Sequence, residues 1–252
     1  MNSLKISLCS FLIFLLFVSS GFAQEFYEIR EYKIKSSAKK PLTIQFLKDA
    51  LIPALERQGI TRIGAFDALK DDSNNSVYLL IPFKSLTQFS EMNDKLEADK
   101  IYQSSGETYF SISKKDPAYE RINSSFLKAF RGMPTLETPV GTRGERIFEL
   151  RTYESHQTEK AKLKVEMFNE GEIDIMKDVE LGPIFFGEML IGENVPNLTY
   201  MLSAKNKTDH DAHWEGFKKH PKWLEMKVMP RYKGTVSKIT NWYLKALPFS
   251  KI

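Results

Sequence analysis

Apolar positions along this chain repeat with two periods, and the periods alternate in the same order twice. Leu47, Leu51 and Leu55 fall four apart with Phe46, Ala50 and Ala54 beside them. That spacing predicts an amphipathic helix over 39–58, which Pro53 should kink because it lacks a backbone donor. Shorter apolar runs predict strands over 61–68 and 76–82, parted by the turn-forming run Asp71-Asp72-Ser73-Asn74-Asn75. A helix over 85–97 and a fourth strand over 108–113 complete the set. The later half repeats it, with a helix over 158–177, strands over 184–191 and 197–203, a helix over 209–218 and a strand over 235–244. Between the halves, Tyr119, Ile122, Phe126 and Phe130 suggest a connecting helix with an apolar stripe, followed by a Pro- and Gly-bearing linker over 132–144.

The repetition extends to residue identities. Phe-Tyr-Glu-Ile-Arg-Glu-Tyr at 26–32 recurs as Ile-Phe-Glu-Leu-Arg-Thr-Tyr at 147–153, 121 residues on, and Tyr78 pairs with Tyr200 at an offset of 122. Each half reads βαββαβ, the ferredoxin-like arrangement, so the fold class is α+β. A four-stranded sheet with helices on one face must bury or solvate the other, and the second repeat supplies a partner. The expectation is therefore two tandem ferredoxin-like repeats, 24–114 and 145–252, joined by 115–144 and closing into an intramolecular dimeric α/β barrel. Strand side chains alternate, so Phe148 and Leu150 should meet the helices. Glu149, Arg151 and Tyr153 would then line the face between the repeats, with Glu28, Arg30 and Tyr32 opposite them.

Composition changes the picture at the N-terminus. Lys5 precedes an apolar run over 11–18, and Gly21 and Ala23 stand at the small-residue positions of a cleavage site, so 1–23 reads as a signal peptide and the mature chain begins at Gln24. The protein is expected to be exported, periplasmic or secreted, with no membrane span after cleavage. Cys9, the single cysteine of the 252 residues, lies in this leader, which excludes disulfides, thiol catalysis and thiolate metal sites from the mature chain. The 36 basic and 32 acidic residues are interspersed and the charge of +4 falls to +3 without Lys5. Such a surface has no nucleic-acid-binding stripe.

Candidate chemistry is concentrated in few places. The Glu28–Arg30 and Glu149–Arg151 pairs can position a ligand or simply neutralise one another. Tyr32, Tyr78, Tyr153 and Tyr200 suit a polar-aromatic pocket wall or a core. The four histidines, His156, His210, His213 and His220, all lie in the second half. His210 and His213 are spaced to present two metal ligands, but an acid-capped helix start with Asp209 as N-cap explains the same residues and no metal is assigned. His220 precedes Pro221 beside Trp223 and reads as a haem ligand, a general base or a helix-start hydrogen-bonding group. Sequons at Asn74, Asn123, Asn197 and Asn206 carry little weight outside a eukaryotic secretory context. No phosphate loop, dinucleotide fingerprint or nucleophile elbow is present, so no cofactor is predicted apart from haem as the exception weighed at His220.

Together, Phe-Glu-Leu-Arg-Thr-Tyr at 148–153, Trp-Glu-Gly-Phe at 214–217, His-Pro-Lys-Trp at 220–223, Tyr-Lys-Gly-Thr at 232–235 and Ile-Thr-Asn at 239–241 resemble a NIPSNAP domain. The resemblance covers 145–247 and extends more weakly over 24–113, where Ala98-Asp99-Lys100-Ile101 replaces His-Pro-x-Trp. It implies a dimeric α/β barrel, assigns no catalytic residues, and in an exported chain suggests a bacterial member. Three functions follow: a binder of a small organic ligand in the cleft between the repeats, an oxygenase-like enzyme using the same cleft without cofactor or with haem, or an interaction module with a filled cleft. The two-repeat unit could itself pair as a homo-oligomer.

Overall fold

The structure is a computed structural model that describes residues 23–69 and 75–252. The leader, but for Ala23, and most of the 71–75 turn lie outside the described residues. Among them, eight strands form one closed antiparallel barrel: β1 (Phe26–Lys33), β2 (Gly64–Ala68), β3 (Val77–Phe83), β4 (Arg121–Ala129), β5 (Ile147–Glu154), β6 (Pro183–Ile191), β7 (Asn197–Ala204) and β8 (Lys238–Ala246). Their order is β1-β3-β2-β8-β5-β7-β6-β4. Each repeat thus contributes a ferredoxin-like sheet, β4-β1-β3-β2 and β8-β5-β7-β6. The outer strand of one pairs with the outer strand of the other at β2–β8 and β4–β6.

The helices cover the outside. In the first repeat, α1 runs Lys40–Phe46, through a π-turn at Leu47–Leu51, into Ile52–Arg57. The wide turn immediately precedes Ile52-Pro53, and the predicted kink is absorbed there rather than as a break. Then come α2 (Leu86–Ala98), whose N-cap Ser85 accepts the Gln88 N–H, and α3 (Lys100–Phe110), capped by Asp99. In the second repeat, α4 runs Thr158–Met167, through a π-turn at Phe168–Glu172, into Ile173–Asp178. It is followed by α5 (Lys207–Lys219) and α6 (Pro221–Met226). The two π-turns, the helices α2 and α5, and the strands β1 and β5 all correspond at the same offset of 121 residues. Asn206, not Asp209, caps α5, accepting the Asp209 N–H at 2.9 Å. No helix among the described residues is long and apolar enough to cross a membrane.

Two predicted elements differ. The segment read as the connecting helix within 115–144 holds strand β4, and the strand expected over 108–113 falls at the end of helix α3. The first repeat therefore extends through Ala129, and the irregular connection begins after it. The spacing of Ile122, Phe126 and Phe130 explains the misreading. A separation of four returns a side chain to the same face of a helix, but four is also twice the strand period.

The face assignment is also reversed. Tyr27, Ile29, Phe66, Leu80, Leu127, Phe148, Leu150, Phe185, Met201 and Leu244, drawn from both repeats, share one buried cluster that fills the barrel. Phe66 meets Phe148 across the repeats with ring centroids 4.9 Å apart. Glu28, Arg30, Tyr32, Glu149, Arg151 and Tyr153 occupy the opposite face of their strands, under the helices. Apolar clusters fill both the space between the sheets and the spaces under the helices, so the polar positions of β1 and β5 point toward the helices without meaning solvent. The slip of one in the Tyr78–Tyr200 offset has the same origin. Leu80 pairs with Ile29 and Met201 with Leu150, so the position equivalent to Tyr200 is Leu79. Tyr78 faces the barrel interior and Tyr200 the helices, because one residue reverses the face.

Candidate functional site

The helix-covered face of the second repeat carries a hydrogen-bonded cluster built on β5. Glu149, 1% exposed, accepts four hydrogen bonds. Its Oε1 receives Arg151 Nη1 at 2.7 Å and Asn241 Nδ2 from β8 at 3.0 Å. Its Oε2 receives Trp214 Nε1 at 3.0 Å and lies 2.8 Å from His210 Nε2, both on α5. Two oxygens offer about four acceptor sites, so this carboxylate is saturated. Burial by itself would push its pKa up, but the His210 hydrogen bond and the Arg151 charge outweigh it and hold Glu149 down at about 2. It is an anchor for its four donors and not a base free to take a substrate proton.

Arg151 stands beside the anchor. Its guanidinium carbon lies 4.6 Å from the Trp214 ring centroid and 5.5 Å from that of Tyr153, and Nη2 donates to the Tyr153 hydroxyl at 3.3 Å. Tyr200 donates to the same hydroxyl at 2.9 Å. Burial pushes both tyrosines above the ordinary phenol range, so they stay protonated.

An open cavity of about 590 Å³ lies against this cluster, floored by Arg151 and Tyr153 and walled by Trp214, Phe217, Trp223 and Tyr243. Lys164 and Glu172 from α4 also line it. The lysine Nζ stands 2.6 Å from Glu172 Oε2, with the two side chains 5% and 3% exposed. The cavity combines aromatic walls with fixed polar groups at its floor, and the exposed Asp211, Glu215 and Lys218 also line it, a mixture that suits a small molecule with an apolar body and a polar group.

The first repeat builds the same scaffold and closes it. Glu28 Oε1 receives Arg30 Nε and the Ser124 hydroxyl, each at 2.7 Å, as Glu149 receives Arg151 and Asn241. Among the described residues its buried Oε2 has no partner, because the position of His210 is held by Phe89, which packs on Phe126 at 4.1 Å. Arg30 meets the Met92 sulfur, and Tyr109 of α3 stacks on Phe46 at 4.1 Å over Thr43. Tyr32 is buried in this cluster, 2% exposed.

The residues singled out from sequence are thus gathered in two separate places and not across one cleft. Glu149, Arg151 and Tyr153 line the floor of the open cavity, while Glu28, Arg30 and Tyr32 sit in its closed counterpart. His220 joins α5 to α6 with an extended backbone and its Nε2 3.7 Å from Asp178, outside the cavity lining. A haem in the cavity would need an axial nitrogen, and neither His220 nor His210, bound to Glu149, offers one; the residues do not fit that cofactor. His213 turns to Asp209 at 3.8 Å while His210 turns to Glu149, so the two do not converge on one ligand position. His156 is exposed. The sequence reading missed Lys164, Glu172, Trp214 and Asn241 as members of the site. Aligning the repeats at 121 residues shows the signal, since Lys164 and Glu172 correspond to Thr43 and Leu51.

Comparison with known proteins agrees with the division into two repeats. The NIPSNAP family model matches residues 27–130 and 148–251. The end of the first match falls at the close of β4, where the structure ends the first repeat. A candidate monooxygenase from Fusobacterium nucleatum subsp. nucleatum superposes with a TM-score of 0.59 at 11% identity, over 90% of this chain and 94% of its own. A second, from Lactobacillus acidophilus NCFM, does so with 0.58 at 13% identity, over 89% and 98%. An anthrone oxidase-like protein gives 0.54 at 8% identity, over 90% and 93%. These similarities concern the fold. No curated protein matches the chain.

Proposed function

This chain belongs to the NIPSNAP family, and on that premise we propose that it is an exported binder of a small, largely apolar organic molecule bearing an oxygen function. The observation that carries the reading is the difference between the repeats: one closes the space beside its Glu–Arg–Tyr strand with its own side chains, and the other leaves about 590 Å³ open beside the same strand. The space between the repeats is filled by core residues, so the ligand is assigned to the cavity under α5 instead. Aromatic walls would take the apolar body of the ligand, and Arg151 with Tyr153 its oxygen. Export rests on Lys5, the apolar run and the Gly21-Phe22-Ala23 site, and N-terminal sequencing of the protein from its host should find Gln24 first.

Trp214 and Trp223 in the walls supply the assay. Titrating phenols and aryl ketones should change tryptophan fluorescence and raise the melting temperature. Arg151→Lys keeps the charge but loses the guanidinium plane, and should weaken binding more than it lowers stability. A panel in which no compound changes either signal would sink this reading. Oxygenase-like chemistry in the same cavity is the second reading. It is favoured by Arg151, a fixed cation suited to the oxygen of an electron-rich phenolate or enolate, and oxygen uptake with a bound phenol tests it.

A further inference from the structure

We infer that Lys164 is a nucleophilic amine and that the cavity takes an aldehyde or ketone, which Lys164 binds covalently as an imine with Glu172 moving the protons. This rests on the reading of the cavity as a ligand site and names the ligand's reactive group.

The argument begins with the cost of the pair. Lys164 Nζ and Glu172 Oε2 lie 2.6 Å apart with both side chains almost fully buried. The ammonium has little other polar company: the Met167 sulfur is at 3.5 Å, and the rings of Phe168, Tyr153 and Trp223 have centroids at 4.8, 5.6 and 5.7 Å. Burying an ion pair in such surroundings is commonly neutral or unfavourable compared with apolar residues of similar size. The chain itself contains the comparison. The same two positions of the first repeat, one four residues before the π-turn and one at its end, hold Thr43 and Leu51. Both are buried in a helix that passes through a π-turn at the same place, although only the second repeat's turn is kinked, at Gly171, so this element forms without the charges. They occur in the repeat whose cavity is open, and they line it.

The geometry suits imine chemistry. An amine must be neutral to attack, and a carboxylate 2.6 Å away can take its proton. Burial pushes the Glu172 carboxyl above its ordinary value, with Lys164 pulling against it, and this eases the transfer. The nitrogen lone pair then forms a bond to the carbonyl carbon as the C=O π pair moves to oxygen. That oxygen takes the proton from Glu172, which recovers one from the new N–H. In the second stage Glu172 protonates the hydroxyl, the C–O bond breaks, water leaves and the nitrogen pair closes the C=N bond. An ammonium–carboxylate pair and a carbonyl compound become an iminium–carboxylate pair and one water, with atoms and charge conserved.

The test uses the full chain, benzaldehyde and sodium cyanoborohydride, which reduces an imine to a stable benzylamine, followed by peptide mass spectrometry. Lys164 should acquire the benzyl group at least about tenfold faster than the exposed Lys162 and Lys222, and E172Q should slow that labelling. The double variant K164T/E172L imports the first repeat's residues. It should fold, melt no lower than the parent and lose the selective adduct. Benzyl alcohol, the same ring without a carbonyl, separates the two readings through tryptophan fluorescence. If it binds while Lys164 labels no faster than the surface lysines, the imine inference is overturned and the cavity reading stands. If neither the alcohol nor the aldehyde engages the cavity, both fall.

Discussion

Glu149 is the residue on which the site's geometry depends, since four donors from β5, β8 and α5 meet on its two oxygens. Its carboxyl is held at about 2 against an ordinary 4.5, so it binds its proton less readily when folded than when unfolded. The resulting stability is present in full above pH 4.5 and is lost as pH falls through 2, amounting to on the order of 3 kcal/mol. Glu172 acts with opposite sign: its raised value means that its penalty vanishes at low pH and grows as the pH rises. Urea unfolding at several pH values should therefore show an acid-labile component that Glu149→Gln removes, with reduced stability at pH 7. An unchanged acid limb in that variant would mean that Glu149 is not the group responsible. The Glu-x-Arg-x-Tyr spacing, and with it the Arg151 donor, was legible from sequence, but the other three donors were not, because His210, Trp214 and Asn241 reach Glu149 from elements 61, 65 and 92 residues away.

At the scale of elements, the first and second repeats differ most where α3 stands opposite α6. Strand β1 pairs Lys33 with Arg121 and β5 pairs Glu154 with Lys238, so the last strand corresponds at 117 residues and not 121. The first repeat spends its extra four residues there on a longer helix, which brings Tyr102, Tyr109 and Phe110 onto Phe46. Tyr109→Ala should cost about 2 to 3 kcal/mol by thermal unfolding, because the ring stacks fully on Phe46. Ligand affinity of the second repeat should not change, since the site lies in the other half. Loss of affinity in Tyr109→Ala would place a functional connection between the repeats. The starts expected at 85 and 209 lie within two residues of the observed Leu86 and Lys207, although α5 is capped by Asn206 and not by the expected Asp209. The β4 strand was not found. Its polar run Asn123-Ser124-Ser125 has little strand character, and pairing with β1 and β6 decides its form.

The whole molecule is held together by closure. Both seams between repeats are short, with β2 meeting β8 over Phe66, Asp67 and Ala68, and the interior cluster draws on both sheets. Neither half can bury that face alone, so unfolding should be one transition reported alike by circular dichroism and by tryptophan fluorescence, although Trp214, Trp223 and Trp242 all lie in the second repeat. A fragment of residues 24–130 should not persist as a folded monomer in gel filtration; if it does, the seams are dispensable. The barrel was legible from the repeat because a one-sided sheet demands a partner. Which face would meet that partner was not, since both faces of β1 and β5 are buried and alternation carries no label for inside. The pairing of a packed half with an open one also sets the arithmetic of binding. Two copies of one domain would ordinarily imply two equivalents of ligand and the chance of cooperativity between them. With Thr43 and Leu51 where Lys164 and Glu172 stand, saturation should come at one equivalent per chain, on a plain hyperbola.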